Sequence, residues 1–398
     1  MIRDLTSGKP LKVIVGFALP MLLSMVFQQL YNIVDSVIAG RYVGVSALAA
    51  VGASFPITSL FIAIASGASI GCSVIVSQLF GAKDFAKMKS AISTSILSLL
   101  GLSVVLLVGG LIFCSPLMHL INTPKNIFED SALYLRVYIL GMIFLFVYNA
   151  ATAIFNALGD SRTPLIFLIF SSLLNVVLDL VFVRVFKMGV GGVAWATFIA
   201  QGISSILAIS YLFVRLKKIP ATAKFRYFDG DLLKNISRVA IPSILQQSFI
   251  SVGQFFVQGL INEFGETTVA GYSAAFKINT FAIVSITTIS NALSSFVAQN
   301  IGAKKFERIK EGYKGALLMA EGFCLTVVAI ILVFGKNILG LFVNPDAAMR
   351  DEVIQIGMQF LYIAVPFYAV VTAKIATDGV LKGSGSMKAF MISTFSDL

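Results

Sequence analysis

The chain has 398 residues, 58% of them hydrophobic and only 12% charged, with a mean hydropathy of +0.92. Soluble domains carry about 25% charged residues, so this chain cannot clothe a water-facing surface, which excludes a soluble enzyme, a disordered chain and a nucleic-acid-binding module. Its net charge of +11 fits the basic cytoplasmic loops of a membrane protein, with no nucleic-acid partner needed.

A bilayer core of about 30 Å takes about 20 apolar residues per helix. Apolar runs between polar breaks predict spans at 13–38, 47–79, 90–113, 130–155, 164–186, 191–214, 239–262, 267–299, 314–334 and 352–380, with a further start near 388. The first run has no small-residue cleavage site after it and continues as a full span, so it does not read as a cleavable signal. With the N-terminus in the cytoplasm and the spans alternating, 21 basic residues fall inside and 7 outside, the orientation that the positive-inside rule favours. The expected location is a cell membrane, a prokaryotic inner or plasma membrane, crossed many times. Cys72, Cys114 and Cys324 lie in apolar runs and give neither a disulfide framework nor a metal site. The single histidine, His119, leaves nothing for His-based catalysis.

The chain repeats itself. Ala18-Leu19-Pro20 matches Ala240-Ile241-Pro242 at an offset of 222, and VSQLFGAKDFAKMK at 76–89 matches VAQNIGAKKFERIK at 297–310 at an offset of 221. Thr123-Pro124 matches Asn344-Pro345, and residues 157–161 match 383–387 more loosely. Six spans per repeat is an even number, so both halves insert in the same orientation, related by a pseudo-twofold axis along the membrane normal. The expected architecture is all-α: an N-terminal six-helix bundle at 1–214, a basic cytoplasmic linker at 215–238 and a C-terminal bundle at 239–398. Two repeats of this length would need more residues than the chain has, so twelve spans are expected with the second bundle incomplete, its last span in view being the eleventh. A cleft between two rocking bundles is the architecture of alternating access, which points to a transporter.

Ionisable groups at membrane depth are costly and mark functional sites. Asp35 stands in span one, on one helical face with Gln28 and with Tyr31 or Asn32. Asp179 stands in span five, one turn after Asn175. Asp35 lies 23 residues past Lys12 and Asp179 lies 17 past Arg162, so at about 1.5 Å per residue both fall in the outer half. Thr197, six residues into the inward-running span six, reaches the same level. Carboxylate, amide and hydroxyl oxygens suit a hard cation such as Na⁺, and two adjacent carboxylates also suit a proton carrier.

The second half lacks this constellation. The repeat maps Asp35 onto Val257, and span seven carries the neutral Gln246, Gln247, Gln254 and Gln258 instead. Gln28, Tyr31, Asn32, Gln246, Gln247, Gln254 and Lys277 are candidates to line a substrate cavity. Lys277 reads either as a charge answering the cation site or as a snorkelling lysine. Lys374 and Asp378, four apart in span ten, are expected to pair. Pro20, in span one fifteen residues before Asp35, is a candidate hinge, with Pro242 as its equivalent; Pro56 and Pro366 interrupt other long helices.

The motifs NIVDSVIAG at 32–40, SQLFGAKD at 77–84, GDSRTP at 159–164, NVVLD at 175–179 and GVGGVAWAT at 189–197, in this order and spacing, resemble those of multidrug and toxic compound extrusion (MATE) transporters. The resemblance covers the whole chain. It implies a secondary active antiporter that exports organic, cationic compounds in exchange for H⁺ or Na⁺, works as a monomer and needs no cofactor. It also implies that Asp35, Asn175, Asp179 and Thr197 form the cation or proton site, with Pro20 as the helix that bends. Span seven has no acid, so the chain is similar to the DinF-like branch and departs from the NorM-like one. A flippase for lipid or lipid-linked oligosaccharide, on the same fold, is the alternative. A membrane enzyme is a poorer reading, because no nucleophile–base or metal constellation is visible.

Overall fold

The computed structural model describes residues 3–220, 225–342 and 349–396. All its regular structure is helical, because backbone N–H and C=O groups in hydrocarbon must find their partners within the segment. The helices are α1 (Pro10–Ile38), α2 (Val45–Gly81), α3 (Phe85–Leu120), α4 (Phe128–Leu140), α5 (Met142–Ala157), α6 (Arg162–Leu180) and α7 (Gly189–Lys217) in the first half. The second half holds α8 (Gly230–Asn262), α9 (Glu266–Gly302), α10 (Phe306–Gly340), α11 (Arg350–Ala364), α12 (Tyr368–Ser384) and α13 (Met387–Phe395). Among the described residues eight spans are long and apolar enough to cross a membrane, nine with α4 and α5 taken together. The chain is an all-α membrane protein.

Each predicted span contains or overlaps a helix, with instructive differences. The fourth span is broken at Gly141, where α4 and α5 meet at 47°. Its repeat equivalent is broken as well, by a 3₁₀ turn at Val365–Phe367 that carries Pro366. Pro56 and Pro20, in contrast, sit inside helices that continue through them. The Ser24 hydroxyl donates to the Pro20 carbonyl at 2.9 Å. The connection between the halves is shorter than the 215–238 expected: α7 runs on to Lys217, and α8 begins at Gly230 behind an Asp229 cap. The polar first turns of α8 are helical because Asp229 caps them, accepting from Asp231 N and Leu232 N. Four glutamines keep α8 out of the apolar set despite its 33 residues. Of the repeat matches, Asn344 and Pro345 lie outside the described residues.

The GAK repeat is a repeated turn. Lys83 and Lys304 both adopt a left-handed backbone, with φ of 59° and 56°. Asp84 N then bonds Leu79 O at 3.1 Å, and Lys305 N bonds Asn300 O at 2.8 Å. These turns end α2 and α9, which cross at Gly81 and Gly302. A Cβ on Gly81 would fall on the Gln299 carbonyl, and one on Gly302 would fall on the Gln78 carbonyl. Only glycine permits this approach, so the crossing is fixed by two residues at equivalent repeat positions.

At the same end of the molecule each half reaches into the other. Gln78 Nε2 donates to Gly383 O at 3.1 Å, and Gln299 Nε2 donates to Ala157 O at 2.7 Å. These acceptors are the two loosely matched segments of the repeat. The Arg3–Gly8 segment also lies here. Leu5 is fully buried beside Phe17, Leu293 and Phe296. Burying apolar side chains of this size contributes about 1.5–3 kcal/mol each.

Candidate cation site

Asp35 lies in the last turn of α1 and Asp179 in the last turn of α6. Both helices then pass into a π-helical turn, at Ala39–Val43 and Val181–Val185. Such turns shift the helical register locally and recur at functional sites. The two π turns touch, and the Arg184 guanidinium stands 5.8 Å from the centre of the Tyr42 ring. Because α6 packs against both α1 and α7, the polar residues of three helices converge.

Asp179 is fully buried and Asn175 is 2% exposed. The Asn175 amide takes the orientation that satisfies both its atoms: its nitrogen donates to Asp179 Oδ2 at 2.9 Å and its oxygen accepts from the Thr197 backbone N–H at 3.1 Å. The Thr197 hydroxyl lies 3.4 Å from the same amide. The Asp35 and Asp179 carboxyls are within hydrogen-bonding reach of each other. Asp35 Oδ1 and Asp179 Oδ1 are buried with no donor among the described residues. The four residues that depth counting put at one level are therefore in contact.

Two carboxylates this close repel when both are ionised, so the pair is suited to take up a proton or a small cation between them. The carboxylate oxygens of Asp35 and Asp179 are the donor type a hard cation prefers, while Asn175, with its nitrogen on Asp179 and its oxygen on the Thr197 backbone, holds Asp179 in place.

Tyr31 belongs to this cluster, its hydroxyl directed toward the Thr197 side chain. Tyr134 and Tyr138 of α4, stacked at 6.5 Å, wall the site. With Gln201, four residues after Thr197, they line a water-sized cavity. Sequence reasoning missed Tyr134, Tyr138 and Gln201. The signal was present as a tyrosine pair at helical spacing, but tyrosine in an apolar run reads as core.

The other candidates lie elsewhere. Gln28 and Asn32 are on an exposed face of α1. Gln246 is buried, Gln247 half-buried and Gln254 exposed, all on α8, which packs chiefly on α2. Lys277 is exposed on α9, and its ammonium stands 5.3 Å from the Phe342 ring centre, just past α10. The structure does not bring Lys277 to the acidic cluster. Lys374 and Asp378 pair at 2.9 Å, and Ser393 donates to Asp378 at 3.0 Å.

The MatE family model matches residues 20–181 and 242–398. YpnP of Bacillus subtilis (strain 168), described as a probable multidrug resistance protein, is 29% identical over 391 residues, covering 98% of this chain and 86% of its own length. The multidrug export protein MepA of Staphylococcus aureus (strain bovine RF122 / ET3-1) is 23% identical, covering 88% of this chain and 78% of its own. A solved multidrug resistance MATE family transporter of the MOP superfamily, in an outward-facing conformation, superposes with a TM-score of 0.90 at 27% identity, covering 98% of this chain and 86% of that one. With both repeats matched, and with relatives that are transporters and not enzymes, the chain belongs to the MatE family of efflux transporters.

Proposed function

We propose that the chain is a secondary active antiporter that exports organic cationic compounds in exchange for H⁺ or Na⁺. One observation carries the reading: the pairing of the half-buried Asp35 with the fully buried Asp179, each carboxyl keeping a buried oxygen without a donor among the described residues. A cation or proton bound there removes the repulsion between α1 and α6, and so favours whichever arrangement of the halves keeps the two helices together. That differential binding is what lets a gradient shift a conformational equilibrium. The exported compounds are multidrug-type, in line with the names of YpnP and MepA. The basic end of the molecule, with the N-terminus, the GAK turns and the connection between the halves, faces the cytoplasm of a cell membrane, and the functional unit is a monomer.

The test is efflux of a cationic dye from vesicles under separately imposed Na⁺ and H⁺ gradients. Wild-type protein should respond to one of them. Asp35→Asn should insert normally and lose the response; gradient-driven efflux at the wild-type rate in that variant would overturn the assignment. A lipid flippase would leave dye efflux independent of both gradients.

A further inference from the structure

The cytoplasmic face holds a clasp that the antiport reading leaves without a role. Gln78 and Gln299 occupy equivalent repeat positions, and each donates its side-chain amide to a backbone carbonyl of the opposite half, Gly383 and Ala157. Gln299 is fully buried. A glutamine amide with two donors and an acceptor suits this role, because it can hold two chain segments at once. Gln299 does so: its Oε1 accepts from Leu5 N at 2.9 Å while its nitrogen holds Ala157.

The second half then breaks the symmetry. At the position where Asp84 caps α3, accepting from Lys87 N, the equivalent residue is Lys305. It makes no side-chain cap, and its ammonium donates to Thr6 O at 2.8 Å. Arg308, one turn on, donates to Gly8 O at 2.7 Å and to Leu5 O at 3.5 Å. It also donates to the Asn300 side chain, whose own nitrogen reaches Leu5 O at 3.4 Å. The Arg3–Gly8 segment is continuous with α1 of the first half, yet it is gripped by α9 and α10 of the second. Its other end is tied back, with Arg3 N donating to Leu158 O at 3.2 Å.

The segment also meets the candidate hinge. Pro20 has no N–H, so the carbonyl of Gly16, four residues earlier, loses its helical donor. The Arg3 guanidinium lies over Gly16, against the point where a Cβ would stand.

We propose that the Arg3–Gly8 strap, together with Gln299, is a latch: it holds the cytoplasmic face closed in the outward-facing state and must release before the face opens inward. Through α1 the strap runs into the Pro20 turn and on to Asp35, so loading of the carboxylate pair and release of the latch act on one helix. The proposal rests on the alternating-access reading above.

Nitroxide pairs at Lys87→Cys and Lys310→Cys, both exposed and on opposite halves at this face, report its opening by pulsed dipolar spectroscopy; the three native cysteines are buried. Gln299→Ala in the full chain should raise the long-distance population about tenfold, the shift expected from losing one to two net hydrogen bonds, and deleting residues 3–8, which removes more hydrogen bonds and the buried Leu5, should raise it further. Gln78→Ala, which touches no strap residue, should shift it less. An unchanged distribution in Gln299→Ala, in protein that elutes and melts as wild type, overturns the latch. So does an equal shift in both glutamine variants. Failure of the antiport reading shows separately, as wild-type vesicles that answer neither gradient.

Discussion

Replacing Asp179 by asparagine separates the cost of the carboxylate pair from its use. The substitution conserves volume and keeps an oxygen where Asp179 Oδ2 now receives the Asn175 nitrogen at 2.9 Å. The new amide nitrogen faces Asp35, so a contact between two carboxyls becomes a hydrogen bond to a charged group, a type that contributes about 1.5–3 kcal/mol. Asp35, whose Oδ1 has no donor among the described residues, gains one. The variant should therefore melt no lower than wild type in detergent, and higher where both carboxyls of the native protein are ionised. Transport should move the other way. One pH unit is worth about 1.4 kcal/mol per proton, so exchange of one proton for one dye cation, with the membrane potential clamped, supports about a tenfold dye gradient. With Asp35 held by a permanent donor, no proton or cation is cycled and the dye ratio should settle at one. The assay is dye accumulation in clamped vesicles after a one-unit pH step and, separately, after a tenfold Na⁺ step. A variant that still concentrates dye under the gradient that drives wild type refutes the reasoning. So does a large fall in melting temperature, because it would mean that Asp179 holds the fold together.

Two further substitutions test the frame around the site. Gly81→Ala and Gly302→Ala each place a methyl group against a backbone carbonyl of the crossing helix, where no side chain can yield; each should cost about 1–3 kcal/mol, read as a lowered melting temperature in detergent, and an unchanged melt would show that the α2–α9 crossing is looser than described. Asp229→Ala removes a cap that accepts from Asp231 N at 3.0 Å and Leu232 N at 3.1 Å, for a loss of about 1 kcal/mol that Asp229→Asn should restore; equal melts for the alanine and asparagine variants would place the start of α8 under other control.

Span positions were legible because burial in hydrocarbon demands one property over twenty residues, and the sequence displays it without interruption. Convergence of Asp35, Asn175, Asp179 and Thr197 was legible for a related reason. Helical rise is constant, so counting from a basic residue at the interface gives depth. What escaped the sequence depends on local geometry within a span. AGRYV and VFVRV become π turns although neither carries a proline, and Gly141 breaks a span while Pro56 does not. A proline early in a long, well-packed helix costs a single hydrogen bond, whereas a flexible residue at a crowded bend can end the helix. The start of α8 escaped because residues 230–238 are too polar for a membrane criterion yet sit behind a good cap. Tyr31 was placed in the substrate cavity and lies in the acidic cluster, since nothing in the sequence tells a tyrosine's ring face from its hydroxyl. The Arg3–Gly8 segment was counted as an orientation signal alone; its grip by Lys305 and Arg308 joins residues 299 and 300 positions apart, which no local pattern announces.

The connection between the halves does more than join them. Lys89 Nζ holds Ile219 O at 2.7 Å, Ser90 Oγ receives Arg226 N at 2.8 Å, and Thr94 Oγ1 receives Asp229 N at 3.0 Å. The last of these is the residue that caps α8, so the root of that helix is pinned to α3 of the other half. A helix of 33 residues is a lever about 50 Å long, and a tilt of about 10° about its pinned root sweeps its tip through roughly 9 Å. A small rotation at this root would therefore move the far tip of α8 by several times the displacement at its base, and any such rotation must also shift the long contact of α8 with α2.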